Sequence, residues 1–332
     1  MKSFSWRQPL AAALLLLSSL SAHAKPPTEV RLDYAYYAPT SLVLKDQGIL
    51  EQRLADQGIA VRWVFSQGSN RSLEYLNGNS IDFASTAGLA AVLSRANGSP
   101  VQTVYIASRP EWAALVVPKG SSINSVEQLK GKKIAATLGT DPYLFVLRTL
   151  QAHGLSKNDV EIVHLQHPDG RAALEQGRVD AWAGLDPHMA ASELQAGSTL
   201  LSRNLEFNSY GVLNVTERFA RDNPELIKEV IAAYEQARLW ALAHPQETAA
   251  LLASESGLPL EVASLQLSRT DFSNPLPGQE HIDALKGAAA ILIEEQLVRR
   301  GADVGRAVEQ LINPQFAQGL ISSPQPAYAS QE

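Results

Sequence analysis

Apolar positions along the chain recur with two different periods. Residues 30–34, 60–65, 81–84 and 101–107 are short apolar runs that predict strands. Residues 40–54, 68–76 and 89–96 carry apolar side chains three and four apart and predict helices, the first broken at Gly48 and the second ending near Asn77-Gly78. Strand and helix in alternation predict a mainly parallel sheet with helices on both faces, an α/β class. The alternation then starts again. Residues 113–117, 133–137 and 161–165 predict strands, while residues 142–152, closed by Gly154, and 170–176, closed by Gly177, predict helices. Ser125-x-x-Gln128 is a capping box that opens a helix after the first of these strands.

The two halves share a phrase. Leu76-Asn77-Gly78-Asn79-Ser80-Ile81-Asp82-Phe83-Ala84 and Leu174-Glu175-Gln176-Gly177-Arg178-Val179-Asp180-Ala181-Trp182 both read helix end, glycine, β-branched residue, aspartate, strand, about 100 residues apart. Each glycine suits a left-handed helix C-cap and each aspartate stands where a strand begins. At matching points of two alternating halves, the phrase predicts two related lobes. Beyond residue 210 the pattern turns helical. Asn223-Pro224 is an N-cap followed by proline, and Leu226, Ile227, Val230, Ile231, Tyr234 and Ala237 then share one face. A further helix runs from Pro245 to Gly257, residues 271–279 form a loop, and residues 282–299 predict one amphipathic helix. The tail after Ser322, rich in Pro, Ser and Gln, is expected to fray.

The 332 residues, 45% of them hydrophobic, suffice for two units with separate cores. A net charge of −6 without a basic tract points away from nucleic acid as a partner. No cysteine is present, so disulfides, thiolate nucleophiles and Cys-ligated metals are excluded, and oxygen and nitrogen side chains must carry any chemistry. Residues 1–24 run from Lys2 and Arg7 through an apolar stretch at 10–20 to Ala22-His23-Ala24, the order of a secretory leader. That stretch falls well short of the ~20 residues needed to span a bilayer. We expect cleavage after Ala24 and export to the periplasm, with no lipid anchor because no cysteine follows.

Four stretches carry a resemblance. Leu32-Asp33-Tyr34 to Ser41-Leu42-Val43-Leu44-Lys45, Asn77-Gly78-x-x-Ile81-Asp82-Phe83-Ala84, Leu129-Lys130-Gly131-Lys132-Lys133-Ile134-Ala135, and Asp180-Ala181-Trp182 followed by Asp186-Pro187 together resemble the periplasmic solute-binding proteins of ABC importers. Within them the chain is similar to the sulfonate, taurine and nitrate branch, in order over about residues 28–315. The resemblance implies a type II periplasmic binding fold: two α/β lobes around a ligand cleft, with two hinge crossings near residues 108–113 and 209–215. Lobe 1 would take residues 25–112 and 210–332, and lobe 2 residues 113–209. It also implies a monomer without cofactor or metal that hands a small-molecule solute to an inner-membrane ABC permease. Many sulfonate binders of this branch carry aromatics around the Asp-Pro phrase, where this chain has Leu185 and His188. The solute therefore stays open between an alkyl or aryl sulfonate or sulfate ester, nitrate, and a thiamine-precursor-like heteroaromatic.

In an open parallel sheet a ligand lies beyond the carboxyl ends of the strands, against helix N-termini. Five loops qualify, at residues 36–41, 68–71, 85–88, 139–141 and 186–188. Tyr36, Tyr37 and Trp112 are candidate walls for an organic group, with Tyr143 and Trp182 as further aromatics, the latter equally suited to the core. Gly68, Thr40, Ser69, Ser85, Thr86 and Thr140 are candidate donors to anionic oxygens, each hydroxyl having helix capping as its alternative role. Arg71 and Arg109 are candidate guanidinium partners of an anion. Asp141 and Asp186 oppose an anion unless they hold an arginine, bind an ammonium or cap a helix. No nucleophile elbow, His-Glu-x-x-His or P-loop occurs, and His164 and His167 on one strand would point to opposite faces, unable to share a metal. The expectation is a binding protein for an anionic solute without catalytic residues, a cysteine-independent enzyme on the same fold being the remote alternative.

Overall fold

A computed structural model describes residues 27–321, so the leader, its cleavage point and the tail after Ser322 lie outside the described residues. The strands are β1 (Glu29–Tyr34), β2 (Ala60–Phe65), β3 (Ala84–Ala87), β4 (Val101–Pro110), β5 (Ala113–Val117), β6 (Lys133–Ala136), β7 (Glu161–His164), β8 (Ala181–Leu185), β9 (Thr199–Ser202), β10 (Gly211–Thr216) and β11 (Thr270–Asp271). The α-helices are α1 (Pro39–Asp46), α2 (Ile49–Leu54), α3 (Ser69–Asn77), α4 (Gly88–Ala96), α5 (Asp141–Ala152), α6 (His167–Glu175), α7 (His188–Ala191), α8 (Glu217–Asp222), α9 (Pro224–Ala243), α10 (Pro245–Ser256), α11 (Leu260–Ser268), α12 (Gln279–Ala288), α13 (Ala290–Glu294) and α14 (Val304–Leu311).

Two sheet layers with the same strand order organise these elements. In the first, β2 and β1 are parallel, Leu32 bridges Phe83 in parallel just ahead of β3, and β10 lies antiparallel between β3 and β4, with β11 on the outer edge. In the second the order is β7-β6-β8-β5-β9, with β6 parallel to both neighbours and β5 antiparallel to β8 and β9. The series β2, β1, β3, β10, β4 thus corresponds to β7, β6, β8, β5, β9. In each layer the strand inserted antiparallel is the first one reached after the chain arrives from the other layer. The sheets are therefore mixed, not mainly parallel as the local alternation predicts: a strand entering from the opposite unit runs against its neighbours, and no short-range periodicity records that. Below, the two units built on these layers are termed the first and second lobes.

The shared phrase has one job in both layers. Asp82 Oδ2 accepts the Arg31 backbone N–H at 2.9 Å, and Asp180 Oδ2 accepts that of Lys133 at 2.8 Å, so each aspartate satisfies a donor at the start of the adjacent strand. Of the two glycines only Gly177 is left-handed, with φ 67°; Gly78 has φ −79° and Asn79 takes the left-handed turn at φ 56°. In the second lobe every residue of β5 and β8 is buried, with α5 on the face of Leu115 and Ala183 and α6 on the face of Val116 and Trp182. A Cβ on Gly170 of α6 would lie 2.6 Å from Trp182 Nε1, so this glycine lets the helix sit on the indole, and Trp182 is core.

Three further expectations change. Helix α6 opens at His167, so His164 ends a strand and His167 begins a helix. The capping box at Ser125 and Gln128 forms, but opens only a single 3₁₀ turn, Val126–Leu129. Residues 282–299 do not make one helix: the chain bends between α12 and α13, which buries Ile291 and Leu292 and lets Lys157 of the second lobe reach Glu295 at 3.1 Å. Among the described residues no helix is long and apolar enough to cross a membrane.

Candidate functional site

The loops after the strands meet between the lobes. A cavity of about 100 Å³ is walled by Tyr36, Tyr37, Phe65, Ser66 and Gln67 of the first lobe and by Pro168, Leu185, Asp186, Pro187 and His188 of the second. Tyr37 also borders an adjoining recess of about 10 Å³ whose floor includes Thr40, Ser85, Thr86, Ser108 and Trp112. Seven candidates thus converge on one cleft: Tyr36, Tyr37, Thr40, Ser85, Thr86, Trp112 and Asp186. The Trp112 ring meets Tyr37 edge-on at 6.0 Å, and Tyr36 packs 4.7 Å from Phe65, giving the cleft an aromatic wall.

A buried carboxylate assembles the first-lobe side. Asp33, the fifth residue of β1, is fully buried and accepts from Ser66 Oγ at 2.7 Å, Ser72 Oγ at 2.6 Å and the Ser85 backbone N–H at 2.7 Å. Tyr37 Oη donates to the Ser85 carbonyl at 2.9 Å. The ends of β1 and β2, the start of α3 and the start of β3 are thereby tied to a single side chain. Burial pushes Asp33 up to about 6, against the lowering effect of its three donors. The native carboxyl then holds its proton to higher pH than the unfolded chain, so this group's contribution to stability is full below pH ~4 and is lost as pH rises through about 6. Asp33→Asn should remove that dependence. In denaturant titrations between pH 4 and 7, wild type should lose ~1–3 kcal/mol relative to the variant as pH rises; a constant difference would contradict the assignment.

The lobes touch across the cleft. A Cβ placed on Gly68 would lie 3.0 Å from His167 Nε2 of the second lobe and 3.0 Å from Asn70 Oδ1, and one on Gly139 would lie 3.6 Å from Asn70 Cβ. Gly68 is extended at φ 176°, so glycine is needed there for room and not for backbone freedom. Thr137 Oγ1 donates to the Leu165 carbonyl at 2.7 Å and lies 3.2 Å from His167 Nδ1, which assigns the ring proton to Nδ1 and leaves Nε2 an acceptor facing the first lobe. Burial depresses His167 to about 3 and His188 to about 4, so both rings are neutral at pH 7. At the other rim, Arg269 at the end of α11 reaches Asp186 at 3.5 Å and Glu193 at 2.5 Å, two acids of the second lobe, beside the apolar contact of Val262 with Ala190 and Ala191. Asp186 also accepts the Ala190 N–H at 2.9 Å, and burial raises it to about 7 against the lowering effect of Arg269. Of the roles open to Asp186, it takes that of holding an arginine.

The remaining candidates stand elsewhere. Arg71 pairs with Glu74 at 2.6 Å on the exposed side of α3. Arg109 pairs with Glu206 at 2.7 Å and lines a separate cavity. Ser108 lines the cleft floor and Arg109, its neighbour on β4, faces the other way, a division that residue spacing alone does not reveal. Asp141 is not at a cleft mouth: it is buried and accepts from Trp112 Nε1, the Ser209 N–H and Ser209 Oγ at 2.8, 2.7 and 2.8 Å, joining α5 to both hinge crossings. Thr140 Oγ1 donates to Thr137 O and Ser69 Oγ accepts the Ala87 N–H, so these hydroxyls serve the loops themselves, and Thr86 Oγ1, although on the cleft floor, accepts from Asn214 Nδ2 at 2.8 Å. Sequence reasoning missed Asp33, Ser66, Gln67, His167 and Arg269 as site residues. Ser66 and Gln67 directly follow β2, so the strand-end rule that selected the other loops would have found them. Among the described residues no cluster of acidic or histidine side chains suits a metal ion.

Comparison with known proteins agrees with this geometry. A family model described as NMT1/THI5 like matches residues 54–248. A relative from Escherichia coli (strain K12) named for binding aliphatic sulfonates is 30% identical over 303 residues, covering 90% of this chain and 94% of that protein. One from Bacillus subtilis (strain 168), with the same name, is 26% identical over 308 residues, 90% of this chain and 93% of that protein. Among solved structures, the alkanesulfonate-binding protein SsuA from Xanthomonas axonopodis pv. citri bound to MOPS aligns with a TM-score of 0.79 at 27% identity, over 86% of this chain and 99% of that one. With a family model spanning more than half of its length and a relative of 30% identity across nine-tenths of it, the chain belongs to the NMT1/THI5-like family and has the periplasmic binding protein fold.

Proposed function

We propose that this chain is the extracytoplasmic solute-binding component of an ABC importer and that its solute is a short-chain aliphatic sulfonate. The observation that carries the reading is the cavity between the lobes, walled by five side chains from each and narrow enough for a small organic molecule. A ligand draws two lobes together only through contacts with both, and this cavity offers them. Aromatic rings on one side suit an alkyl chain. The Thr40 hydroxyl on the recess floor and the loop N–H groups suit the sulfonate oxygens. Asp186 does not oppose an anion, because Arg269 compensates it. The names of the relatives support the same class, and the leader-like residues 1–24 support export and cleavage after Ala24. The protein then acts as a monomeric carrier without catalytic residues and delivers its solute to a membrane permease. Residues 25–112 with 210–332 and residues 113–209 serve as its two closing lobes.

The test is calorimetry and thermal shift with methanesulfonate, ethanesulfonate, butanesulfonate, taurine, a naphthalenesulfonate, sulfate and nitrate. A bound alkanesulfonate at 100 times its Kd should stabilise the native state by about 2.7 kcal/mol and raise the melting midpoint by roughly 5 °C or more. The small cavity should favour the alkyl compounds over the bulky aryl one. Binding of nitrate alone, or of none of the organic sulfonates, would refute the proposal.

A further inference from the structure

A second cavity lies on the opposite side of the hinge from the cleft. It measures about 220 Å³ and is bounded by Arg148 of α5, by Arg109 and Tyr210 of the two crossings, and by the Ala284–Gly287 side of α12. Arg148 is the unusual group. Its guanidinium stacks 4.5 Å from the Phe207 ring centre, and among the described residues it makes no hydrogen bond and has no acid within 4 Å, while its Nη1 is buried without a partner. Arginine side chains held away from water are ordinarily paired. Burial accordingly lowers the Arg148 pKa, which the charges of Asp141 and Glu206 oppose from a distance. Of the two acids at the cavity, Glu206 is already engaged by Arg109 at 2.7 Å, and Asp283 stands at the exposed rim, accepting from Gln279 Nε2 at 2.9 Å. The inner end therefore offers a guanidinium whose Nη1 has no protein partner.

We propose that this rear cavity is a second binding site, for a small tetrahedral oxyanion of the phosphate or sulfate type, held by Arg148 with support from Arg109 and the Tyr210 hydroxyl. A guanidinium presents paired N–H groups that match two oxygens of such an ion, and the Phe207 ring lies against Arg148 Cζ. The site is distinct from the cleft, since no residue of the rear wall borders the cleft cavity.

The probe is inorganic phosphate, titrated calorimetrically into the protein at constant ionic strength. Two variants act on the site by different routes. Arg148→Gln removes the charge. Gly287→Leu keeps every charge but narrows the cavity that Gly287 lines, a Cβ there meeting no atom within 4 Å, and it also replaces a glycine within a helix. We expect one saturable phosphate site in wild type, at least tenfold weaker binding in both variants, and binding within twofold of wild type in the cleft variant Tyr37→Ala. Phosphate binding that survives Gly287→Leu and Arg148→Gln, that is lost with Tyr37→Ala, or that never saturates in wild type would overturn the proposal. If Arg148→Gln fails to fold, Gly287→Leu alone decides.

Discussion

Asp141→Ala should lower the unfolding free energy by about 3–5 kcal/mol, because it strips the acceptor from three buried donors at once. The carboxylate receives Trp112 Nε1 and the Ser209 N–H on one oxygen and Ser209 Oγ on the other, and Trp112 and Ser209 are both buried. An alanine cannot replace these bonds. The position adds a second term, since Asp141 is the first residue of α5, where a negative charge meets the positive end of the helix dipole. Asp141→Asn separates the two contributions. Its amide oxygen can keep the Trp112 and Ser209 N–H bonds, and the Ser209 hydroxyl can rotate to accept from the amide nitrogen, so most of the loss left is the charge. Urea unfolding at pH 7 should rank wild type above Asn and Asn well above Ala. Equal stability of Ala and wild type, or an Asn variant weaker than Ala, would show that Asp141 does not hold the hinge together.

That carboxylate also marks where sequence reading stops. The loops that line the cleft were legible because a rule of sheet architecture needs only the order of strands and helices, and that order is written in local periodicity. The repeated aspartates, Asp82 and Asp180, were legible for the same reason: each cares only about the strand next to it. What a polar side chain does inside a loop is decided by residues far along the chain. Asp141 looks like a helix-capping or ligand-facing acid until Ser209 arrives from the return crossing. Asp33 looks like an ordinary strand residue until Ser66, Ser72 and Ser85 close around it. The arginines show the limit most clearly. Arg71 and Arg109 lie closest in sequence to the cleft loops yet face away from it, whereas Arg269, some 80 residues from Asp186, is carried to the cleft rim by the end of α11. Proximity in sequence selects loops, but the direction of a long side chain depends on strand pleat and helix phase, and those follow from the finished packing.

Arg269 leads to the largest expected effect on binding. It is the first lobe's partner for two acids of the second, with its guanidinium and Asp186 both almost fully buried, and a planar fork is what lets one residue reach both. Closing the lobes without it would bury Asp186 beside only the Ala190 N–H. Removing one partner of a buried pair costs about 3–5 kcal/mol, and because the pair forms only when the lobes meet, the loss falls on closure. Arg269→Ala should therefore weaken sulfonate binding by roughly 100-fold or more while the melting point of the empty protein changes little. The pH dependence carries a second signature. Burial already raises Asp186 to about 7 with Arg269 in place; without the arginine the carboxyl must take up a proton to be buried, so closure consumes a proton and affinity falls as pH rises, approaching tenfold per unit above the carboxyl's ordinary range. Wild type, with Asp186 already raised to about 7, should also lose affinity between pH 6 and 7 but level off above it, where the alanine variant goes on falling. Calorimetry at pH 6, 7 and 8 on wild type, Arg269→Ala and Arg269→Lys should give the steepest decline in the alanine variant. Lysine should fall between, because an ammonium can meet one acid but not both. Affinity within threefold of wild type at every pH in the alanine variant would mean that closure does not depend on this pair.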